Sequence, residues 1–63
     1  MSNQGPPDPL QKMVLMLIHE SPRCMQEHIV DETGKDQAQI SRAIDKLIEV
    51  GLARRTEGKL MAQ

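Results

Sequence analysis

The sequence contains no phenylalanine, tyrosine or tryptophan, so its core must be built from leucine, isoleucine, valine and methionine. Its one cysteine, Cys24, excludes an intrachain disulfide framework and favours a reducing, intracellular compartment. A long apolar run is also missing. The segment 13–18 (MVLMLI) is too short to span a bilayer and has no secretory-signal features. These absences predict a soluble, cytoplasmic protein without a membrane partner.

The composition is that of one small globular domain. Of the 63 residues, 38% are hydrophobic and 27% are charged, which is too apolar and too well patterned for a disordered chain. Residues 1–32 carry two basic and five acidic side chains, whereas residues 33–63 carry six basic and four acidic ones. The net charge of -1 speaks against nucleic acid, but the basic second half favours an anionic partner there.

The chain begins with a proline-containing segment that shows no apolar periodicity. We expect residues 1–8 to form a flexible tail and residues 9–63 to form the domain. Asp8 followed by Pro9 is typical of a helix start, with aspartate as the N-cap and proline at the first helical position. The first helix is predicted from about residue 9 to residue 19, ahead of Ser21-Pro22.

The first helix has apolar side chains beyond a single face. The spacing of 100° per residue brings five of them together: Leu10, Met13, Val14, Leu17 and Ile18. Leu15 and Met16 fall on the flanks of this face. Such an extra apolar surface indicates either a subunit contact or a region covered by another part of the chain. The sequence does not choose between the two.

Two further helices are predicted on either side of a glycine turn. The short one covers about residues 26–33 and ends at Gly34, a residue suited to a left-handed backbone conformation. Asp36 then opens the longer helix, with Gln39 placed to complete a capping box. This third helix continues to about residue 50, before Gly51. Its predicted inner face consists of Ile40, Ala43, Ile44 and Leu47.

After Gly51 the helical pattern stops. Two short segments, 52–55 and 59–62, flank Thr56-Glu57-Gly58 and favour a β-hairpin. The predicted fold is therefore mostly α with a small β-hairpin. The order of elements is that of a winged helix-turn-helix, with three helices plus a short wing.

The segment 32–55 (ETGKDQAQISRAIDKLIEVGLARR) carries the sequence features that identify a family. They are the turn glycine Gly34, the triplet Ile40-Ser41-Arg42, the core leucine Leu47, and Gly51-Leu52 ahead of Arg55. In this order they resemble the second half of a winged-helix domain of the multiple-antibiotic-resistance regulator (MarR) type. The resemblance extends over about residues 10–62 and implies a sequence-specific, double-stranded DNA-binding transcriptional regulator, associated with the nucleoid.

The resemblance also implies which surface meets DNA. Helix 3, about 37–50, would enter the major groove, and the 52–62 hairpin would contact the backbone or the minor groove. On helix 3 the expected base contacts come from Gln37, Ala38, Gln39, Ser41 and Arg42. The expected phosphate contacts come from Lys35, Lys46, Arg54, Arg55 and Lys59.

Some positions depart from the family pattern. Met25 replaces the usual serine or threonine cap of the second helix, and Ile48 and Val50 stand where charged residues are common. The flanking helices through which MarR-type proteins normally dimerise have no counterpart in this sequence. A homodimer is nevertheless expected, because two modules would read a pseudo-palindromic site with more affinity than one. The candidate interface residues are Leu15, Met16, Ile48 and Val50.

Other classes of function find little support. His19, Cys24 and His28 match no common zinc spacing, and Cys24 is interpreted as a structural residue. The sequence has no glycine-rich phosphate loop and no paired carboxylates in an apolar setting, so we predict neither an enzyme nor a cofactor or metal. The alternative function is a winged-helix module that binds proteins and not DNA, since a fold does not fix its function.

Overall fold

The computed structural model describes residues 8–63, and residues 1–7 of the predicted tail lie outside that range. The elements along the chain are α1 (Pro9–Glu20), β1 (Cys24–Met25), α2 (Gln26–Thr33), α3 (Gln37–Glu49), β2 (Ala53–Thr56) and β3 (Lys59–Ala62). The three helices and the hairpin agree with the predicted winged helix-turn-helix, and helix bounds differ from the predicted ones by no more than one residue. The strand β1 was not predicted.

The three strands form one antiparallel sheet in the order β1-β3-β2. Strand β1 pairs with β3 through Cys24 opposite Leu60 and Met25 opposite Lys59. The turn before β1 brings it into place, because the Cys24 amide donates to the Ser21 carbonyl at 3.2 Å and the Arg23 amide donates to the Leu60 carbonyl at 2.8 Å. A two-residue strand is too short to show an alternating pattern, so the sequence gives no sign of it.

The core lies between the helices and one face of the sheet. Its fully or nearly fully buried residues are Val14, Ile18, Ile29, Ile40, Ala43, Ile44, Leu47, Ala53 and Leu60. The predicted inner face of α3 is thereby confirmed. On α1 the apolar face buries Val14 and Ile18 completely, whereas Met13 is 43% exposed. Met13 lies roughly 100° around the helix from the buried Val14, at the margin of the apolar face.

The helix ends differ in how far their predicted caps are formed. Gly34 ends α2 with φ 67° and ψ 16°, the left-handed conformation that glycine adopts most easily. The capping box of α3 was wrong, because the Asp36 side chain makes no cap hydrogen bond. Asp36 and Gln39 are both exposed, so water competes for their polar groups. Asp8 likewise begins α1 through its carbonyl, which accepts the Lys12 amide at 3.0 Å, and not through its carboxylate.

The hairpin turns through two residues, Glu57 and Gly58, between the paired residues Thr56 and Lys59. Both turn residues have positive φ, 53° and 79°. This combination is a type I′ turn, whose twist matches that of the flanking strands. The predicted hairpin is therefore present, with a glutamate in a left-handed conformation at its tip.

Candidate nucleic-acid interface

Helix α3 has two sharply different sides. One side places Ile40, Ala43, Ile44 and Leu47 in the core, at the spacing of three and four residues that gives a single helical stripe. The other side is open to solvent. This outer side includes every residue of α3 that was predicted to contact bases. Gln37, Ala38, Gln39 and Arg42 are exposed, and Ser41 is half-buried.

The outer side of α3 changes in charge along its length. No acidic side chain lies in its first turn, and none occurs before Asp45. Its second half carries Asp45 and Glu49, and Glu49 Oε1 lies 3.8 Å from Lys46 Nζ. An exposed pair at this separation contributes little to stability, but it partly neutralises the lysine. Within α3 the N-terminal half is therefore the more favourable half for an anionic ligand, with the exposed Asp36 as the one acidic side chain directly ahead of it.

Arg42 lies on this acid-free half. Its Nε donates to the Ala38 carbonyl at 3.5 Å, a long contact that points the side chain toward the N-terminus of α3. Within residues 8–63 the structure has one salt bridge, Lys46–Glu49, so Arg42 is not held by a carboxylate there. The guanidinium is thus exposed at the helix end that carries Gln37 and Gln39.

The strand register divides the basic residues of the hairpin between two faces. Side chains of paired residues point to the same face of a sheet, and successive side chains alternate. Arg55 pairs with the buried Leu60 and shares the core-facing side with Ala53. Arg54 pairs with Met61 and Lys59 pairs with Thr56, so both cations lie on the outer face. Arg54 Nη2 lies 4.0 Å from Met61 Sδ.

This division was not predicted from the sequence, which grouped Arg54, Arg55 and Lys59 as equivalent phosphate contacts. Strand β2 follows α3, and the core-facing side of the sheet is the side on which the helices pack. Arg55 therefore lies on the same side of the sheet as α3, although it is exposed near the tip of the hairpin. Knowledge of the Thr56–Lys59 register would have been needed to separate the three residues.

Lys35 lies in the turn before α3, and its exposed side chain begins the basic surface at that end. The α2–α3 connection is compact, because the Gly34 amide donates to the Val30 carbonyl at 2.9 Å. The Ile40 amide donates to the Asp36 carbonyl at 3.0 Å, which starts α3 directly after the turn. These contacts bring Lys35 next to Gln37, so the two residues share one end of the candidate surface.

The four residues suggested for a dimer interface have different surroundings. Leu15 and Ile48 are half-buried and pack against the core. Met16 is 58% exposed and Val50 is 51% exposed. The interface stays a prediction. Sequence reasoning missed three other exposed apolar side chains, Met13, Met25 and Leu52.

Residues 8–63 were also compared with the requirements of a metal site, a reactive cysteine and a membrane-spanning helix. In residues 8–63 no group of three or more histidine, cysteine, aspartate or glutamate side chains could hold a metal ion. Burial raises the pKa of the half-buried Cys24 thiol above its ordinary value, which keeps it protonated and weakly nucleophilic at neutral pH. Over the same residues, no helix has both the length and the apolar character needed to cross a membrane.

Taken together, the helix-turn-helix formed by α2 and α3 and the β2–β3 hairpin that follows define a winged-helix domain. Comparison with known families identifies the family within this class. The chain belongs to the MarR family, whose sequence model matches residues 5–59. This is a family of transcription regulators and not of enzymes. Searches of curated proteins and of solved structures gave no match.

Proposed function

We propose that this domain binds double-stranded DNA sequence-specifically and acts as a transcriptional regulator in the cytoplasm, associated with the nucleoid. The observation that supports it best is the exposed, acid-free N-terminal half of α3, adjoined by a basic hairpin. Helix α3, Gln37–Glu49, would enter the major groove, and the hairpin would contact the backbone or the minor groove.

The side chains on the first half of α3 have the chemistry that base recognition requires. Gln37 and Gln39 carry amides that can pair with adenine edges, and Arg42 carries a fork of donors suited to guanine. Ala38 is small enough to allow close approach or to contact a thymine methyl group. Ser41 can donate or accept a hydrogen bond. Base contacts of this kind would supply the sequence preference.

Phosphate contacts would come from the basic residues around this half of α3: Lys35, Lys46, Arg54, Arg55 and Lys59. Lys35 and Arg55 have no acidic partner within the described residues, whereas Lys46 is paired with Glu49. The outer-face position of Arg54 and Lys59 makes them weaker candidates than Arg55. A protein with net charge -1 has little general attraction to DNA, so these few local contacts must carry its affinity.

A homodimer would strengthen such binding. Two copies would bring two α3 helices to half-sites about 34 Å apart on B-form DNA. The exposed Met16 and Val50 are the more suitable interface residues, because Leu15 and Ile48 already pack against their own core. Light scattering on Met16→Glu should then give a lower mass than the unmodified protein. An unchanged mass would remove Met16 from the interface. Ala38→Glu, which places the same charge at an exposed position on α3, serves as the control.

The direct test is a fluorescence-anisotropy titration with a random-sequence duplex at about 50 and about 200 mM salt. We expect binding at the lower salt and a marked loss at the higher, since cation–phosphate contacts release counterions. Absence of binding at the lower salt would contradict the proposal. Selection of a preferred duplex from a random pool would then test whether binding is sequence-specific.

A second candidate function is a module that binds another protein. The net negative charge favours it, as do the exposed apolar side chains Met13, Met16, Met25, Val50 and Leu52. The same titration separates the two functions. A protein-binding module would not bind the duplex at low salt, whereas a DNA-binding domain would.

A further inference from the structure

Thr33, the last residue of α2, hydrogen-bonds to the backbone on both sides of the turn that leads to α3. Its Oγ1 donates to the Ile29 carbonyl at 2.8 Å, one helical turn earlier. The same oxygen accepts the Lys35 amide at 3.2 Å, two residues later. A hydroxyl has one donor and two acceptor positions, so both bonds form at once.

Backbone hydrogen bonds hold the two ends of the turn, from the Gly34 amide to the Val30 carbonyl and from the Ile40 amide to the Asp36 carbonyl. The Thr33 hydroxyl adds a side-chain contact to Lys35 between them. Gly34 occupies its first position, and glycine has the widest backbone freedom of any residue. The Asp36 side chain makes no cap hydrogen bond to the first turn of α3. The Thr33 hydroxyl is partly shielded from water in its bond to the Ile29 carbonyl, whereas its bond with the Lys35 amide is exposed. Thr33 is therefore the side chain that ties the turn to the end of α2.

The body of α3 is held independently of this turn. Ile40, Ile44 and Leu47 are buried in the core, and they begin one turn after the helix start. Loss of the Thr33 hydroxyl would leave those contacts intact. It would instead loosen Lys35 and the exposed first residues of α3, Gln37–Gln39. This is the end of α3 to which base contacts are assigned.

We infer that Thr33 is a positioning residue for DNA recognition: its hydroxyl fixes the turn so that Lys35 and the first turn of α3 meet the duplex in one orientation. The inference rests on the proposed function. It predicts that Thr33 affects the choice of sequence much more than general attraction to DNA. Orientation matters for base contacts, which need close geometry, and matters less for phosphate contacts.

The experiment compares four variants with the unmodified protein. Thr33→Val keeps the branched shape and removes the hydroxyl, Thr33→Ala removes it with better helix propensity, and Thr33→Ser keeps it. Ser21→Ala is the control, since it removes a half-buried hydroxyl at the end of α1, outside the proposed DNA surface. Hydrogen exchange of the Lys35 amide is measured by NMR without DNA. Affinity is measured for a random duplex and for a duplex that the unmodified protein selects from a random pool.

For Thr33→Val and Thr33→Ala we expect the Lys35 amide to exchange about 3- to 10-fold faster, the loss expected from one hydrogen bond. The ratio of selected-duplex to random-duplex affinity should fall by a similar factor, with random-duplex affinity unchanged. Thr33→Ser and Ser21→Ala should behave as the unmodified protein. Unaltered exchange, or faster exchange with an unaltered affinity ratio, would overturn the inference. If the unmodified protein binds neither duplex, the proposed function itself has failed.

Discussion

Helix α3 and the β2–β3 hairpin are held in the molecule by very different means. Helix α3 has four buried side chains along one face, so its orientation is fixed over most of its length. The hairpin has two buried residues, Ala53 and Leu60, and beyond them it extends into solvent as far as the Glu57-Gly58 turn. The difference suggests separate roles. A rigid helix suits base contacts, which need exact geometry, and a less restrained hairpin suits adaptable backbone contacts.

The largest expected effect is a loss of stability when the buried face of α3 is truncated. Ile44→Ala removes a fully buried side chain and should cost roughly 2–5 kcal/mol. A domain of this size has a stability of roughly 3–9 kcal/mol, so thermal unfolding should show a fall in Tm of more than about 10 °C. Met25→Ala, at a position 53% exposed, is the control and should change stability by less than about 0.5 kcal/mol. Similar Tm values for the two variants would contradict the conclusion that the buried face of α3 fixes this helix to the core.

The next effect concerns base contacts from α3. Arg42→Ala should lose about 1–3 kcal/mol of binding free energy on a selected duplex and should relax the preference for one base pair. Lys12→Ala removes the same charge from α1 and should leave base preference unchanged. The measurement is anisotropy on the selected duplex and on its single-base variants. If the two substitutions give equal losses, Arg42 contributes only general charge.

Substitutions in the hairpin should weaken DNA binding less, and by the same amount for every DNA sequence. Arg55→Ala should weaken binding to selected and random duplexes alike and reduce the slope of log K against log salt by about 1. Arg54→Ala removes an equal charge from the outer face of the sheet and should change the slope less. Salt titrations of both variants make the comparison. A larger effect of Arg54→Ala would mean that DNA approaches the outer face.

The smallest effect should come from the tip of the hairpin. Glu57 has φ 53°, a conformation that asparagine tolerates better than glutamate. Glu57→Asn should therefore raise the free energy of unfolding by about 0.5–1 kcal/mol, measured by urea denaturation. Glu57→Gln is the matched control, because it removes the charge without improving the turn. If both variants raise the free energy of unfolding by the same amount, removal of the charge explains the gain. If neither raises it, the backbone conformation of Glu57 costs no stability.

Much of this fold can be predicted from the sequence because its signals are local. Gly34 and Gly51 have positive φ where the sequence ends a helix, and the apolar spacing of α3 predicts its buried face. The pairing of β1 with β3 depends on residues distant in the chain and leaves no local pattern. The capping box failed for a related reason: the sequence shows that Asp36 and Gln39 can bond, but not that both are exposed to water.

The candidate site was predictable to a similar extent. Helical periodicity alone places Arg42 and the glutamines on the outer side of α3. The separation of Arg55 from Arg54 and Lys59 depends on strand register, which a hairpin with weak β propensity does not reveal. The double hydrogen bond of Thr33 depends on one side-chain rotamer at a helix end, and sequence alone does not specify it.

The short strand β1 has a consequence for how the domain folds. Its partner Leu60 lies about 36 residues further along the chain, whereas each single helix and the hairpin forms within a short stretch of chain. Closing a long loop costs more entropy than closing a short one, so such contacts form late. We therefore expect the single helices and the hairpin to form first, before α1 packs on β3 and before β1 pairs with it. The pairing of Cys24 with Leu60 would then be among the last native contacts to form and among the first to open.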